Sequence, residues 1–419
     1  MVQKSINYFM ILFAFILPLS LGGANTVLGT ILLLWLIEGD FQKKLTIFKE
    51  EKIVWIFLTI GLLTLISALL SDSMSHSFLA GEKKSLLRVI FSHYILIPFV
   101  SIIFITSIKK EYLKYIISAF LLAILFSEII SYLIFFELID VNMLQAKHLL
   151  YAEASLKNPT PFMHHTEYSI FLSIASILLI NKLLHTKNRL YQIFILLFLT
   201  SATINLFING GRTGQISYLL AISTYMFFYF KFNIKIIIST LLVLSSVVLL
   251  AYNFSPTFHK RSHMALQNIE QISQGNYNTS WGRRVASTKV TLDYLLSSPE
   301  RFILGAGAGD TRQVYLAHVK KHFNKNISEP IKILAHLHNQ YLEYWMDGSL
   351  IAFLLFLSFF IILMRLAVPI LYKPSLYAFA VIVAFASATD IPLFRYQPAM
   401  LFMLLIGYFM LISREKTEI

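Results

Sequence analysis

Three stretches of this chain hold residues that could do chemistry, two built on arginine beside glycine and one on paired histidines. The first, Asn209-Gly210-Gly211-Arg212-Thr213-Gly214, joins two apolar runs. Its glycines permit a tight turn with exposed backbone N–H groups, and Arg212 opens the next helix, where the macrodipole also favours an anion. A planar, always-charged guanidinium suits a phosphate. The same residue would equally serve as an interfacial cap on an ordinary hairpin. The second, Ser280-Trp281-Gly282-Arg283-Arg284-Val285, opens an amphipathic helix that runs to about Leu296. Adjacent arginines point in different directions on a helix, so one of the two faces a site. Alternatively the helix grips anionic lipid, with Val285, Val290, Leu292, Leu295 and Leu296 on the membrane.

The third stretch is His336-Leu337-His338-Asn339-Gln340-Tyr341-Leu342-Glu343. Two histidines two positions apart suggest a metal site, but on a helix that spacing sends them to different faces. No Asp-x-Asp pair occurs in the chain to clamp a divalent ion on a diphosphate. One histidine acting as a general base is the better chemical reading, with a structural interfacial histidine as the alternative. Arg88, near the outer end of an apolar run, is either a functional cation or one that snorkels to the interface. His164 and His165, in Pro161-Phe162-Met163-His164-His165-Thr166-Glu167, either touch substrate or are inert loop residues. The run Gly305-Ala306-Gly307-Ala308-Gly309 invites a dinucleotide reading, which the missing βαβ context rules against; it reads as a Gly-rich turn.

These residues hang on a strongly apolar framework. Of 419 residues, 57% are hydrophobic and 14% are charged, against about 25% charged in soluble domains. Apolar runs near spanning length fall at 6–21, 25–37, 53–70, 86–105, 112–136, 168–184, 190–208, 215–230, 236–252, 349–364, 376–388 and 399–412. The fold class is therefore an all-α polytopic membrane protein of about twelve transmembrane helices. The first run reads as an uncleaved span rather than a signal peptide, because no A-x-A site follows. Cysteine is absent, which excludes disulfides, thiolate metal sites and a cysteine nucleophile. The net charge of +13 sits between apolar runs and does not imply nucleic acid.

Orientation follows from the short loops. With both termini inside, the inner loops hold 15 Lys/Arg, among them Lys44, Lys109, Arg414 and Lys416. The short outer loops hold six: Lys83, Lys84, Lys147, Lys157, Arg212 and Arg395. Residues 1–419 then form one membrane-embedded domain containing a large periplasmic loop, 253–338, between spans nine and ten. Residues 253–336 of it carry eleven Lys/Arg and five Asp/Glu. An outer face with several cations and few carboxylates suits an anionic, lipid-borne substrate such as a polyprenyl diphosphate. It does not separate an enzyme from a lipid flippase, although cations at the ends of spans favour an enzyme on one face.

Gly211-Arg212-Thr213 opening a span, Gly282-Arg283-Arg284 before a helix, Ser298-Pro299, Leu304-Gly305-Ala306-Gly307 and Leu337-His338-Asn339 before an apolar run resemble the O-antigen ligase and O-antigen polymerase superfamily of bacterial envelope glycosyltransferases. The resemblance covers about 209–363 and is closest to the ligases, with O-antigen polymerase as the alternative. One departure is that Ser349 and Ala352 stand where ligases commonly have Gly-x-x-Gly. The resemblance implies a GT-C-like fold in the bacterial inner membrane and a metal-independent, inverting transfer at its periplasmic face. The donor would be a glycan on undecaprenyl diphosphate and the acceptor a sugar of lipid A-core. No cofactor and no metal are expected. His338 would be the base, with Arg212 and Arg284 stabilising the departing diphosphate. Arg88, Arg283, Asn339 and His336 are the expected further substrate contacts.

Overall fold

Backbone N–H and C=O groups in hydrocarbon must be satisfied within their own segment, so the apolar runs can only become helices. The computed structural model describes residues 1–71, 86–334 and 336–414, apart from the side chain of Arg88. Lys83, Lys84 and Lys416 of the charge count lie outside the described residues. The helices are α1 (Val2–Ile16), α2 (Leu21–Glu38), α3 (Phe41–Glu50), α4 (Lys52–Leu69) and α5 (Leu86–Phe91). A π-helical turn at Ser92–Leu96 leads from α5 into α6 (Ile97–Ser107). Then come α7 (Leu113–Phe135), α8 (Val141–Ala146), α9 (His165–His185), α10 (Arg189–Ile208), α11 (Arg212–Tyr229) and α12 (Ile234–Phe254). Five polar helices follow: α13 (Pro256–Ser273), α14 (Ser280–Leu296), α15 (Pro299–Leu304), α16 (Thr311–His322) and α17 (Lys325–Lys332). The chain closes with α18 (Gln340–Met364), α19 (Lys373–Thr389) and α20 (Tyr396–Arg414).

Among the described residues, nine helical stretches are long and apolar enough to cross a membrane, and α1 and α19 are shorter apolar helices. Each run read from the sequence falls on a helix, α5 and α6 together making the fourth. The tenth run, expected to begin at 349, is the second half of α18. The polar residues before it are helical too, and Gln340, Glu343 and Asp347 are buried. Side-chain caps mark where several helices start. Asn188 accepts from Tyr191 N, Ser255 from Phe258 N, Thr279 from Gly282 N, and Asn339 from Tyr341 N and Leu342 N.

Helix ends collect on two faces. On one, Lys44 Nζ meets Glu38 at 2.8 Å, Lys109 N donates to Asn7 at 2.9 Å, and Arg414 Nε donates to Glu51 at 2.7 Å. These are ends of loops that the charge count placed together. On the other face, Ser255 Oγ donates to Phe207 O, Gln397 to Leu17 O, and Leu393 N to Gln340. The polar helices α13–α17 lie on this second face. Of these, α14, α16 and α17 build a small core of their own around Val290, Leu295, Tyr315 and Ile331, completed by Trp345 and Met346 of α18. Val290 and Leu295, read from the sequence as membrane-facing, are fully buried there, while Val285 and Leu296 stay exposed. An amphipathic pattern names the apolar face but not whether protein or lipid covers it.

Two close approaches set the site. Gly211 and Gly214 lie against Ser169 of α9, so tightly that a Cβ at either would collide with it. This packs α11 onto α9 and fixes where Arg212 emerges. Inside α18, Ser349 takes φ 89°, ψ 169°, a region that is almost glycine's alone. At this break the Met346 carbonyl accepts from Ala306 N (2.8 Å) and Gly307 N (3.2 Å), and Trp345 Nε1 donates to Phe302 O (2.7 Å). The Gly-rich run is therefore a docking turn, as read. A Cβ at Gly305 would strike the Trp345 and Met346 carbonyls.

Ser349 also buries a hydroxyl with no hydrogen-bond partner among the described residues. Ser349→Gly should stabilise the detergent-solubilised protein by about 1 kcal/mol. Gly214→Ala should destabilise it by about 1–3 kcal/mol. Thermal denaturation of the two variants checks both signs; a lower melting temperature for Ser349→Gly would contradict the strained break.

Candidate functional site

The tight α9–α11 contact puts Arg212 at the mouth of a cavity of about 710 Å³ on the second face. Asn209 and Gln215 brace the turn: Asn209 accepts from Gly211 N (2.8 Å) and Gln215 donates to the Leu206 and Asn209 carbonyls. Arg212 Nη2 donates to Ser280 (3.1 Å), while its Nη1 is buried with no partner among the described residues. From α14, Trp281, Arg284, Val285, Thr288 and Lys289 line the cavity, a spacing that presents one helix face. Arg261 reaches it from α13 and His338 from the segment before α18. The cavity thus carries three arginines, one lysine and one histidine, and no carboxylate among the described residues lines it. Its remaining wall is largely apolar, with Ile216 and Leu219 of α11, Val248 of α12 and Phe385 of α19. The like charges of Arg261 and Arg284 act against Arg212. Such a cluster is completed by a multivalent anion.

The double arginine resolves cleanly. Arg284 faces the cavity; Arg283 turns away and donates to Asn278 at 3.2 Å. The backbone of Arg88 lies in α5, and its side chain is outside the described residues. Asn339, expected at substrate, uses its side-chain oxygen to cap α18.

His338 is held by its neighbours on every side. Its φ of 56° is left-handed, uncommon for a non-glycine residue. Leu337 N donates to Glu343 Oε2 (3.1 Å), His338 N donates to His336 Nδ1 (3.2 Å), and Asn339 starts the helix. His338 Nδ1 then faces Asp390 Oδ1 at 3.6 Å, an ion-pair distance rather than a hydrogen bond. Asp390 sits just past α19 and is buried. Burial alone would raise its pKa, but His338 and Arg284 hold it below the usual carboxylate range. It is therefore a fixed negative charge behind the imidazole.

His336 is a different object. Its Nδ1 accepts the His338 N–H, and its Nε2 lies 4.0 Å from Asp390 and 3.4 Å from Arg395 Nη2. Burial first, then His338, Arg395 and Arg284, push its pKa down to about 3, with Asp390 opposing. Two triads bring one possible metal-ligand atom each within 4.8 Å of one another: His336, His338 and Asp390, and Glu153, His164 and His165. In each, one histidine spends Nδ1 on a backbone N–H, His164 accepting from Thr166 N at 3.3 Å.

Sequence reading missed Arg261, Lys289, Asp390 and Arg395 as parts of one site. The first two appeared only as loop charge and Arg395 as a topology count. Asp390 had one available signal, a carboxylate directly after an apolar run on the same face as His338.

The helices and this cavity define a polytopic membrane protein whose cation-lined site opens beside apolar helices. Residues 194–357 match the family model described as O-antigen ligase. The chain is also similar to an uncharacterized protein of Haemophilus influenzae, 30% identical over 163 residues. That similarity spans 38% of this chain and 38% of the relative's own length. The family match contains Arg212, Arg261, Arg284 and His338 but stops short of Asp390.

The low pKa of His336 has a signed consequence. Folded, the ring stays neutral down to about pH 3; unfolded, it takes a proton near 6.5. Between those values the unfolded state binds more protons, so stability falls as pH is lowered. Melting temperature should drop as pH is lowered through that window, and His336→Asn should flatten the drop. An unchanged slope in the variant would remove His336 as its source.

Proposed function

We propose that this protein is an O-antigen ligase, transferring a glycan from undecaprenyl diphosphate to a sugar hydroxyl of lipid A-core. The observation that carries the reading is the cavity itself: Arg212, Arg261, Arg284 and Lys289 on one space with His338 and an apolar wall. The diphosphate lies among the cations and the polyprenyl chain against α11, α12 and α19. His338 accepts the proton of the acceptor hydroxyl. The oxygen attacks the anomeric carbon, the bond to the diphosphate oxygen breaks, and its electron pair leaves with the diphosphate. Attack opposite the leaving group inverts the anomeric centre. Arg212 and Arg284 meet the growing charge on the departing oxygens, where fixed donors count most. Asp390 stabilises the imidazolium that forms. No step of this transfer calls for a metal.

The same reading places twelve helices across the bacterial inner membrane, with both termini cytoplasmic and 253–338 periplasmic. The lysine-rich helix ends then meet the cytoplasm, and the site meets the periplasm. O-antigen polymerase is the second reading, favoured by Ser349 and Ala352 in place of the ligases' paired glycines. A flippase is disfavoured because Arg212 opens a helix rather than sitting mid-span.

Arg212→Lys and Arg284→Lys keep the charge but lose the planar fork, and each should cost about a hundredfold in rate. His338→Ala should abolish transfer while donor binding persists; His336→Ala should lose little. Transfer by purified protein should continue in chelator. In a deletion strain, lost O-antigen bands with accumulated lipid-linked polymer indicate a ligase, and one repeat unit on the core indicates a polymerase. Near-full activity of both lysine variants, or rescue from chelator by Mg²⁺ alone, would refute the diphosphate clamp.

A further inference from the structure

We infer that Tyr151, Glu153, His164, Glu167 and Arg395 form the subsite for the acceptor sugar, an inference that rests on the transfer reaction proposed above. These residues gather around Arg395, whose charge acts on Tyr151, His164 and Glu167. Glu153 Oε2 lies 3.7 Å from His164 Nε2, and the Tyr151 and His164 rings meet edge to face at 6.4 Å. Arg395 Nη2 is 3.4 Å from His336 Nε2, and the His336 ring is 4.0 Å from that of His338. The group therefore reaches the base from the side of Asp390 and His336. None of its members lines the cationic cavity. His338 stands between two polar regions of opposite character, one cationic and one bearing carboxylates.

The segment that carries Glu153 is built to hold a shape. Tyr151 N donates to Pro161 O at 2.7 Å, and Ser155 and Asn158 exchange backbone hydrogen bonds at 3.0 Å. Gln145 Nε2 donates to the carbonyls of Tyr151, Ala152 and Ala154 at 2.9, 3.0 and 2.9 Å. Asn158 packs against Gly210, at the root of the Arg212 turn. The side chains of Glu153 and His164 are 66% and 32% exposed, so this region opens to solvent while the cavity opens past an apolar wall.

The chemistry suits a sugar. Carboxylates accept from hydroxyls, a guanidinium donates to them, and tyrosine and histidine rings offer flat apolar faces to C–H groups. Carboxylates also repel a diphosphate, so the donor lipid is turned away from this side and the hydroxyl-rich acceptor is admitted. Displacement with inversion requires the nucleophile to approach opposite the leaving group. With the diphosphate among the cavity cations, that approach is from this side of His338.

The test uses the full chain in lipid nanodiscs, with donor and acceptor KM measured separately for Glu153→Gln and Glu167→Gln. Binding of the deacylated core oligosaccharide is followed alongside by saturation-transfer NMR. Each variant should raise the acceptor KM about tenfold, leave the donor KM unchanged, and weaken oligosaccharide binding. An unchanged acceptor KM in both variants, or a rise confined to the donor KM, would overturn the subsite. Wild-type protein that binds the oligosaccharide through Glu153 yet transfers nothing would uphold the subsite and overturn the transfer reading. Transfer with variant-insensitive binding would do the reverse.

Discussion

The Met346 carbonyl, gripped by the Ala306 and Gly307 amides where α18 breaks at Ser349, is the contact on which the rest of the site depends. It fastens the polar helices α13–α17 to a helix of the apolar bundle. Those helices bring Arg261, Arg284 and Lys289, while the bundle brings Arg212 and Asp390. Ala308 N and Gly309 N add bonds to Ser67 of α4 (2.9 Å) and to Ser71 just past its end (3.1 Å), so the same turn also binds a second bundle helix. The first half of α18 then runs back to Asn339 and His338. A short stretch of backbone geometry thus sets the base against the cations.

Charge is arranged so that the protein alone does not neutralise it. Arg261 and Arg284 act against Arg212, and Asp390 lies beside His338 and does not line the cavity. Holding like charges together costs free energy that a multivalent anion returns on binding. Arg212 stands at the start of α11, and Arg261 and Arg284 lie on the polar helices α13 and α14, away from the middle of any apolar span.

Much of the framework was legible from hydropathy alone, and α14 begins and ends where its pattern did. The motifs also named Arg212, Arg284 and His338. What the sequence could not show was closure. Asp390 and Arg395 lie more than fifty residues from His338 along the chain and meet it only because α18 and α19 fold back on each other. The choice between Arg283 and Arg284 needed the helix phase relative to α13, which no local pattern contains. Val290 and Leu295 were misplaced for a related reason, since their partners Tyr315 and Ile331 come from helices further along the chain. The Gly305–Gly309 run carried no readable purpose until the broken helix it docks on was in view.

α12 is nearly bare of protein contact, with 6% of its apolar window buried. It nevertheless supplies Val248 to the cavity wall. Its tilt is therefore set less by side-chain packing than by how its 21 residues, about 32 Å of helix, match the surrounding hydrocarbon. Thinner bilayers tilt such a helix further, and thicker ones draw it upright. The apolar wall of this cavity is in that sense part lipid, and its width belongs to the membrane as much as to the chain.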